Sequence, residues 1–588
     1  MANRDWPNLA AMFFAQAQSR GDRPFLWARR KGVYVATSWR ETAVRVGDLA
    51  RGLRALGLER GDRVGLVSEN RPEWVIADLA IISAGGVTVP AYTTHTIEDH
   101  RFLLANSGAR MVIVSTPALA QRVLPAADQV DGVSHVVTLE ALERGQVSET
   151  EVLSLDEVLA RGRRAGGSVE DWVASIRPGD LACLIYTSGT GGVPKGVMTS
   201  HRNILSNCEG AFRLLETLSL GEEVFLCFLP LSHSYEHTAG MMFPISLGAE
   251  IYFAEGAETL LTNLAEAQPT IMTAVPRLFE TMHQRMMRGI EREGALKAKL
   301  FRLALELGKK RYVDPRSLGL VERLLDRILD RLVRDKVRAR FGGRLKAMIS
   351  GGAPLNPEIG KFFLALGLPV LQGYGQTESA PAISVNPPTR IKIHTVGLPL
   401  AGVEVRIAED GEILVRGPLV MKGYWNDPEA TARTLEGGWL HTGDVGEIDR
   451  DGYIVITDRK RDFIKNSGGD MIAPARVEGY LTLEPEIGQA MVYGDRKPFL
   501  VAVLVPAKEL LDRCKGPDDP ELAKTLGAAV ARVNQTLMPM ERVRRFAIAA
   551  EPFTTANGQM TPTLKIRRHA IRQVYGPTLE GLYEARGS

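Results

Sequence analysis

A loop rich in glycine and hydroxyl residues follows an apolar stretch in the first third of the chain. It runs from Tyr186 to Gly196 and reads Y-T-S-G-T-G-G-V-P-K-G. In such a loop glycines let backbone N–H groups approach anionic oxygens, hydroxyls donate further hydrogen bonds, and Lys195 supplies a positive charge. No Gly-Lys-Ser/Thr sequence follows four residues after a glycine, which excludes a Walker A loop and disfavours the P-loop hydrolases. The candidate phosphate ligands are Thr187, Ser188, Gly189, Thr190 and Lys195.

A second loop joins glycines to a single carboxylate. The segment from Gly373 to Ser379 reads G-Y-G-Q-T-E-S and follows the apolar residues Val370 and Leu371. A triphosphate needs a divalent ion for charge neutralisation, and magnesium prefers one or two carboxylates together with phosphate oxygens and water. Glu378 is therefore the candidate magnesium ligand of this loop.

These two loops resemble motifs of the adenylate-forming superfamily, which comprises acyl-CoA synthetases, luciferases and peptide-synthetase adenylation domains. The first is similar to Y-T-S-G-T-T-G-x-P-K-G, with Gly191 where threonine is usual, and the second to G-Y-G-x-T-E. The resemblance implies that Glu378 and Thr187 contact Mg²⁺. It also implies that Thr377 contacts the α-phosphate of ATP and that Tyr374 packs on adenine. From Gly191 we expect altered loop dynamics or slower pyrophosphate handling rather than inactivity.

Further segments resemble the nucleotide side of the same family's site. The sequence S-G-G-A-P-L at 350–355 resembles the adenine-side loop, and T-G-D at 442–444 resembles the ribose motif. The resemblance implies that Asp444 accepts hydrogen bonds from the ribose hydroxyls and that Arg459 shares this task. The other implied nucleotide contacts are Ser350, Gly351, Gly352, Ala353, Gly373, Gly375 and Gln376.

Two segments near the end of the chain match the family's C-terminal motifs. They read D-R-K-R-D-F-I-K at 458–465 and P-T-L-K-I-R-R at 562–568. The match implies that Lys565 bridges the substrate carboxylate and the α-phosphate, stabilising charge that builds during attack. Leu564 stands where glycine is usual, Arg461 falls at the family's hinge, and Lys465 joins the cofactor-binding residues.

The segment L-P-L-S-H at 229–233 resembles the family's acyl-pocket lining, which implies that His233 is a pocket or gate residue. His233 and His237 are four residues apart and on a helix could share a metal. The H-E-x-x-H order is absent and no third ligand is evident, so we expect no metal there. The catalytic candidates are thus Lys565, Glu378, Thr377 and His233.

The elements that must position these residues follow a βαβ rhythm. Strands are predicted at Val64–Val67, Val87–Val89 and Met111–Val114, with helices from Pro72 and Ile97. This pattern predicts a sheet covered on both faces, with ligands at the carboxyl ends of its strands. A second set of such strands is predicted at Leu181–Tyr186, Val224–Phe228, Glu250–Phe253, Thr270–Thr273 and Leu345–Ile349.

We predict an α/β fold with a large N-terminal domain of stacked mixed or parallel sheets and helices, and a small mobile α+β C-terminal domain. The N-terminal adenylation domain spans 1–458 and contains a helical insertion at about 285–341. It also contains a small, barrel-like β-rich subdomain at about 395–458, where short alternating strands flank the turn at 409–411. The hinge spans 459–461 and the C-terminal domain spans 462–588.

Composition limits the possible partners and compartments. Lys and Arg total 72 against 69 Asp and Glu, a net charge of +3 that argues against nucleic acid as a partner. The four cysteines lack C-x-x-C spacing, and no signal peptide or membrane-spanning segment is evident, so we expect a cytoplasmic protein. The helical insertion is interpreted as solvated, or alternatively as a weak peripheral patch at the inner membrane face. The cations of that patch are Lys309, Lys310, Arg311, Arg331, Arg334 and Arg338.

The predicted reaction joins a medium- or long-chain fatty acid to coenzyme A, with ATP and Mg²⁺, through an acyl-adenylate. The segment T-A-V-P-R-L-F-E at 273–280 resembles long-chain members of the family. The alternatives are an acyl-AMP ligase, another adenylate-forming enzyme such as a peptide-synthetase domain or a luciferase-like oxygenase, and an inactive nucleotide-binding protein. We expect a monomer or a homodimer.

Overall fold

The structure is a computed structural model that describes residues 5–187, 193–256, 258–459, 464–468, 470–514, 519–561 and 563–584. Its strands, numbered along the chain, are β1 (Pro24–Arg30), β2 (Val33–Ser38), β3 (Arg63–Val67), β4 (Val87–Ala91), β5 (Ala109–Val114), β6 (His135–Thr138), β7 (Glu151–Ser154), β8 (Leu181–Thr187), β9 (Lys195–Ser200), β10 (Val224–Cys227), β11 (Glu250–Phe253), β12 (Ile271–Ala274), β13 (Ala347–Ser350), β14 (Val370–Gly375), β15 (Ala382–Val385), β16 (Leu398–Pro399), β17 (Glu404–Ile407), β18 (Glu412–Arg416), β19 (Leu440–Ile448), β20 (Ile454–Arg459), β21 (Ile464–Lys465), β22 (Met471–Ile472), β23 (Ile487–Tyr493), β24 (Leu500–Pro506) and β25 (Val543–Ile548). Its α-helices are α1 (Leu9–Arg20), α2 (Trp39–Ala55), α3 (Pro72–Ser83), α4 (Ile97–Ser107), α5 (Pro117–Ala127), α6 (Leu155–Arg164), α7 (Val169–Ser175), α8 (His201–Leu215), α9 (Phe243–Leu247), α10 (Leu260–Ala267), α11 (Pro276–Arg292), α12 (Ala295–Val313), α13 (Leu320–Leu329), α14 (Asp335–Arg340), α15 (Pro357–Ala365), α16 (Pro428–Thr434), α17 (Pro474–Leu481), α18 (Lys508–Leu511), α19 (Pro520–Thr536) and α20 (Arg568–Glu584).

The first βαβ units form a seven-stranded sheet in the order β7-β6-β5-β3-β4-β8-β9. Its neighbouring strands are parallel except β8 with β9. The predicted parallel sheet with crossover helices is therefore confirmed. The grouping of Leu181–Tyr186 with the second set of strands is wrong, because β8 pairs with β4 in this sheet. Alternation along the chain predicts strands but does not say which sheet a strand joins.

The second set of strands forms a nine-stranded sheet in the order β16-β15-β14-β13-β12-β10-β11-β1-β2. Its central strands, from β1 through β11, β10, β12 and β13 to β14, are parallel. The segments that follow β10, β13 and β14 therefore emerge at one edge. They are the 229–233, 350–355 and 376–379 segments that the sequence analysis singled out.

The two large sheets share one apolar core. Helix α3 is predominantly apolar and lies within this core, where Trp74 and Ile81 are fully buried. The same cluster includes Leu66 of the first sheet and Phe225 and Ile251 of the second. A helix that is hydrophobic all round belongs inside a protein, and α3 thus fixes the stacking of the two sheets.

The predicted β-rich subdomain is a four-stranded antiparallel half-barrel in the order β17-β18-β19-β20. The C-terminal residues form a separate α+β unit. Its three-stranded sheet, β23-β24-β25, has β24 fully buried at its centre, with α17 and α19 on one core cluster and α20 on another. The predicted α/β class with a small α+β C-terminal unit is confirmed.

The C-terminal unit is docked on helix α11 and on the start of α15. Nη2 of Arg277 donates a 2.7 Å hydrogen bond to the carbonyl of Gly488. Nδ2 of Asn356 donates a 3.0 Å bond to the carbonyl of Gly479. Arg288 of α11 forms an ion pair with Glu509. Nε2 of Gln284 donates a further 3.1 Å bond to the carbonyl of Thr482. Polar contacts from α11 and from the start of α15 therefore hold this orientation.

The prediction that Arg334 faces lipid is wrong. Its side chain is fully buried and donates 2.7 Å hydrogen bonds to the carbonyls of Ala304 and Ala365. It also donates a 2.6 Å bond to Oδ1 of Asp326. The guanidinium thus ties together α12, α13 and α15. Within the described part of the chain, no helix combines the length and apolarity that crossing a bilayer demands.

Candidate active site

Lys195 and Glu378 are linked through the ring of Tyr424. Nζ of Lys195 lies 4.8 Å from the centroid of this ring and 4.0 Å from Oδ2 of Asp427. The Tyr424 hydroxyl donates a 2.8 Å hydrogen bond to Oε1 of Glu378. Burial and the adjacent Glu378 carboxylate raise the pKa of Tyr424, so the hydroxyl stays protonated and continues to donate. Thr187 pairs with Lys195 across β8 and β9. The phosphate lysine and the magnesium carboxylate of the sequence analysis therefore lie together.

Thr377 lies against the loop that carries His233. Its hydroxyl oxygen lies 3.1 Å from Oγ of Ser234. The backbone before Thr377 is tightly packed, since a Cβ built on Gly375 would lie 1.9 Å from the carbonyl oxygen of Pro381. Only glycine fits there without a shift of the backbone. Gly373 is less constrained, with its nearest neighbour at 3.2 Å from such a Cβ.

The loop after β13 presents backbone rather than side chains. Ser350 is fully buried, and its hydroxyl has no hydrogen-bond partner among the described residues. A Cβ on Gly351 would lie 3.0 Å from Cζ of Tyr235. Gly352 has a φ of +82°, which favours glycine, and Ala353 is half-buried. The geometry suits the flat face of a base or a phosphate edge.

Lys565 of the C-terminal unit reaches this loop. Its Cε and Nζ atoms lie 3.7 and 3.9 Å from a Cβ built on Gly352. Burial and the positive charge of Lys565 also lower the pKa of His233 to about 3. His233 is therefore a neutral imidazole near pH 7, and its Nδ1 accepts a 3.1 Å hydrogen bond from the backbone N–H of Tyr235. The lysine, the histidine and the 350–353 loop face one space.

A tight turn presents Lys565. Its backbone N–H donates a 3.0 Å hydrogen bond to Oγ1 of Thr561, and its carbonyl accepts a 2.7 Å bond from the N–H of Thr561. Leu564, at the position where the family has glycine, has a φ of +61°. Non-glycine residues adopt this region at a cost of about 1–2 kcal/mol. The Leu564 side chain lines a small apolar cavity with Leu278 and Met282 of α11.

Tyr374 and Asp444 are hydrogen-bonded to each other. The Tyr374 hydroxyl donates a 2.7 Å bond to Oδ2 of Asp444, and both residues are buried. The Asp444 backbone pairs with that of Arg459 across β19 and β20. The half-barrel thus brings its carboxylate to the end of β14.

A buried acid lies behind the 229–233 segment. Glu236 begins a π-helical turn, Glu236–Met242, a form that recurs at functional sites. Its Oε2 accepts a 2.5 Å hydrogen bond from Thr273, and its Oε1 accepts a 3.1 Å bond from the N–H of Phe228. Burial raises the pKa of Glu236 to about 7. A Cβ on Gly240 would lie 2.4 Å from this carboxyl group, so glycine is required there.

Several predicted site residues are not placed with this cluster. Ser188, Gly189, Thr190, Gly191, Arg461 and the side chain of Arg459 lie outside the described residues. Lys465 is exposed, and its N–H and carbonyl contact Asp495 and Arg496 of the C-terminal unit. No contact joins Lys465 to the nucleotide loops in the described ranges. Its cofactor-binding role remains a prediction.

Four residues of this cluster are not among the predicted site residues: Ser234, Tyr235, Glu236 and Tyr424. The first three adjoin His233, so the motif was recognised while its neighbours were not assigned. Tyr424 lies 46 residues beyond Glu378 in the chain, and only tertiary structure brings the two side chains together. No local spacing signals that contact.

The donor set fits magnesium and a nucleotide. Among the described residues no group of three or more His, Cys, Asp or Glu side chains could hold a metal ion. A single carboxylate, Glu378, leaves further positions for phosphate oxygens and water, as magnesium prefers. The buried Ser350 hydroxyl and Nε2 of Gln376 lack partners within the described part of the chain, which fits a polar ligand.

Comparison with protein families gives two matches that together cover most of the chain. Residues 13–425 match the AMP-binding enzyme family, and residues 461–587 match the AMP-binding enzyme C-terminal domain. The chain therefore belongs to the family of AMP-binding, adenylate-forming enzymes. This membership confirms the resemblance drawn from the motifs.

Curated relatives and solved structures agree with this assignment. The long-chain-fatty-acid–CoA ligase FadD15 of Mycobacterium tuberculosis is 34% identical, over 98% of this chain and 97% of the relative. Long-chain-fatty-acid–CoA ligase 1 of Homo sapiens is 30% identical, over 88% of this chain and 78% of the relative. The adenylation domain of a carboxylate reductase from Mycobacterium chelonae superposes with a TM-score of 0.78 at 24% identity, over 99% and 92% of the two chains. A benzoate CoA ligase from Burkholderia xenovorans superposes with a TM-score of 0.72 at 23% identity, over 96% and 99%.

Proposed function

We propose that this chain is an AMP-forming acyl-CoA ligase that joins a medium- or long-chain fatty acid to coenzyme A. The observation that carries the proposal is the position of Lys565, whose Nζ lies 3.9 Å from a Cβ built on Gly352. A cation from the C-terminal unit thus enters the loop cluster that holds Glu378, Lys195 and Thr377. Relatives that match this chain over almost their full length are named long-chain-fatty-acid–CoA ligases, which supports the choice of substrate.

In the first half-reaction a carboxylate oxygen attacks the α-phosphorus of ATP, and pyrophosphate leaves as the acyl-adenylate forms. Lys565 offsets the charge that builds between the carboxylate and the α-phosphate. Lys195 and Thr377 hold the phosphates, and the docked C-terminal unit excludes water. Magnesium, held by Glu378 and Thr187, supplies neutralising charge on the triphosphate. No protein nucleophile is needed.

On the nucleotide side, Asp444 and Arg459 bind the ribose. Tyr374 and the backbone at Ser350–Ala353 and Gly373–Gln376 bind the adenine. The 2.7 Å hydrogen bond from Tyr374 to Asp444 orients the carboxylate for the ribose hydroxyls. His233 lines the acyl entrance and is kept neutral by burial and by Lys565. A neutral imidazole does not compete with Lys565 for the substrate carboxylate.

In the second half-reaction the sulfur of coenzyme A attacks the acyl carbonyl, its thiol proton is lost, and AMP leaves. We assign residues 1–458 to the adenylation domain, with the helical insertion at 285–341 and the β-rich part at 395–458. Residues 459–461 form the hinge, and 462–588 form the mobile domain. Rotation about Arg461 withdraws Lys565 and presents the loop at 467–469 to the site.

We propose that the protein is cytoplasmic and makes a weak peripheral contact with the inner membrane face. We propose a monomer or a homodimer as its oligomeric state. A net charge of +3 on 588 residues gives no general attraction to nucleic acid.

Two assays of partial reactions test the proposal. Lys565→Ala should abolish acid-dependent ATP–pyrophosphate exchange and keep thioester formation from supplied acyl-adenylate. The exposed lysine Lys524, changed to Ala, is the matched control and should keep both. Equal loss of both half-reactions in Lys565→Ala would contradict the assigned role.

A panel of acids from acetate to stearate, assayed for AMP release with and without coenzyme A, tests the substrate. Release that depends on coenzyme A and rises with chain length supports the ligase. Adenylate that accumulates without thioester product would instead identify an acyl-AMP ligase. Absence of any acid-dependent exchange would identify a nucleotide-binding protein.

A further inference from the structure

Helix α13 carries an apolar stripe on its outer face that no described part of the chain covers. Leu320, Val321 and Leu324 are 85%, 72% and 61% exposed. Ile328 and Leu332 continue the exposed stripe along the helix and the turn that follows. The opposite face of α13 packs on the protein through Asp326 and Leu329, which are buried. So many large apolar side chains on one exposed helix face indicate an interaction surface.

A row of cations borders this stripe. Arg323, Arg327 and Arg331 recur every four residues, so they lie side by side along the helix. All three are exposed, and none forms an ion pair with a described residue. The row therefore offers unneutralised positive charge beside the apolar surface.

The acidic residues of the same helix point the other way. Glu322 accepts a 2.7 Å hydrogen bond from Nζ of Lys310. Asp326 accepts 2.6 Å bonds from Arg311 and Arg334. The carboxylates are thus engaged in holding α13 to its neighbours. The outward surface of α13 is apolar and cationic, with its acids turned inward.

We propose that α13 docks on an anionic lipid bilayer, with its apolar stripe in the interfacial region and its arginine row against the lipid phosphates. An interfacial amphipathic helix combines these two features: a wide apolar face and cations at its border. A second copy of this chain fits less well, because a symmetric contact offers the arginine row no acidic residue of α13 as a partner.

Packed helices connect this surface to the small apolar cavity beside Leu564. Helix α13 packs on α12, and α12 packs on α11. Helix α11 carries Leu278 and Met282, which line the apolar cavity with Leu564. This part of the inference rests on the proposed function, because a long-chain fatty acid partitions into a bilayer. Docking through α13 would hold the enzyme where its substrate is dissolved.

Flotation of the full chain with vesicles tests the proposal. The vesicles contain phosphatidylcholine alone or phosphatidylcholine with phosphatidylglycerol. We expect the unaltered chain to float with the anionic vesicles. Leu320→Ser/Leu324→Ser should lower this binding at least about tenfold, since two large apolar side chains no longer enter the interface. The matched control is Val147→Ser/Val574→Ser, which alters two exposed residues outside this surface.

The arginine row is tested in the same way. Arg323→Gln/Arg327→Gln/Arg331→Gln should lower anionic binding at least about tenfold and remove most of its salt dependence. Arg110→Gln/Arg144→Gln/Arg164→Gln, which changes three exposed arginines elsewhere, should bind as the unaltered chain does. Thermal unfolding checks that every variant folds.

Several results would overturn the proposal. The unaltered chain would not float with anionic vesicles, or the two control variants would lose as much vesicle binding as the test variants. A third such result is a concentration-dependent dimer that Leu320→Ser/Leu324→Ser dissociates. The acids from acetate to stearate are assayed in the same preparations. An active chain that does not float refutes the docking surface alone, and a floating chain without ligase activity refutes the proposed function alone.

Discussion

The hydroxyl of Tyr424 donates a 2.8 Å hydrogen bond to Glu378, and the face of the same ring lies 4.8 Å from Nζ of Lys195. Tyr424 thus positions the Glu378 carboxylate through its hydroxyl and the Lys195 ammonium through the face of its ring. The two charged groups are the ones expected to meet the phosphates and the magnesium ion. Their separation is therefore set by a rigid ring rather than by two flexible side chains.

Tyr424→Phe keeps the ring and removes the hydrogen bond to Glu378. A hydrogen bond to a charged group contributes about 1.5–3 kcal/mol, so we expect kcat for adenylate formation to fall about ten- to a hundredfold. Steady-state ATP–pyrophosphate exchange measures this. Tyr453→Phe is the control, because Tyr453 also lies under a lysine, Lys392, and donates to the carbonyl of Arg390. An unchanged rate in Tyr424→Phe would remove Tyr424 from the catalytic machinery.

Tyr374→Phe leaves the Asp444 carboxylate without its 2.7 Å donor. A less oriented carboxylate should bind ribose hydroxyls less well, and we expect KM for ATP to rise about three- to tenfold. The preference for ATP over 2′-deoxy-ATP should shrink in parallel. Tyr312→Phe, which loses a bond to the carbonyl of Ile391 instead, should change neither quantity. Loss of affinity that is equal for both nucleotides would contradict the role in ribose binding.

Leu564 lies in the left-handed region with a φ of +61°. In ordinary helical positions glycine is less stable than alanine by about 1 kcal/mol. At position 564 we expect the reverse, with Leu564→Gly more stable than Leu564→Ala by about 1 kcal/mol, because glycine adopts this φ without strain. Urea unfolding of the two variants measures the difference. Val574→Gly and Val574→Ala on α20 are the comparison, and there the alanine variant should be the more stable. An alanine variant that is also the more stable at position 564 would contradict strain at Leu564.

Glu236 has a pKa raised to about 7 from its ordinary value of 4.5. The folded state therefore binds this proton more tightly than the unfolded state. Its contribution to stability is fully present below about pH 4.5 and is lost as the pH rises to about 7. The loss amounts to about 3 kcal/mol.

Glu236→Gln cannot ionise, so its stability relative to the unaltered chain should rise between pH 5 and about pH 7. Chemical unfolding at several pH values measures this. Glu157, an exposed residue with a pKa lowered by its bonds to Ser154, supplies the control. Glu157→Gln should show no change in relative stability between about pH 5 and about pH 7, because Glu157 loses its proton below this range in both the folded and the unfolded state. A pH-independent difference for Glu236→Gln would show that Glu236 is ionised throughout.

Local pattern in the sequence determined much of the fold and of the site. The alternation of apolar strands and helices predicted the parallel sheets, because crossover connections force that order. The loops at 186–196, 350–355 and 373–379 were found because phosphate and nucleotide binding needs glycines and hydroxyls within a few residues of a strand end. Lys565 was found by its motif alone.

Only the tertiary structure determines contacts between residues that are distant in the sequence. The contact of Tyr424 with Glu378, the approach of Lys565 to Gly352 and the positive φ of Leu564 depend on packing between distant segments. The same reason explains the error at Arg334, whose helical spacing suited a surface patch while three carbonyls and Asp326 hold it inside. Periodicity marks which residues share a helix face, but only the neighbouring elements decide whether that face meets protein or solvent.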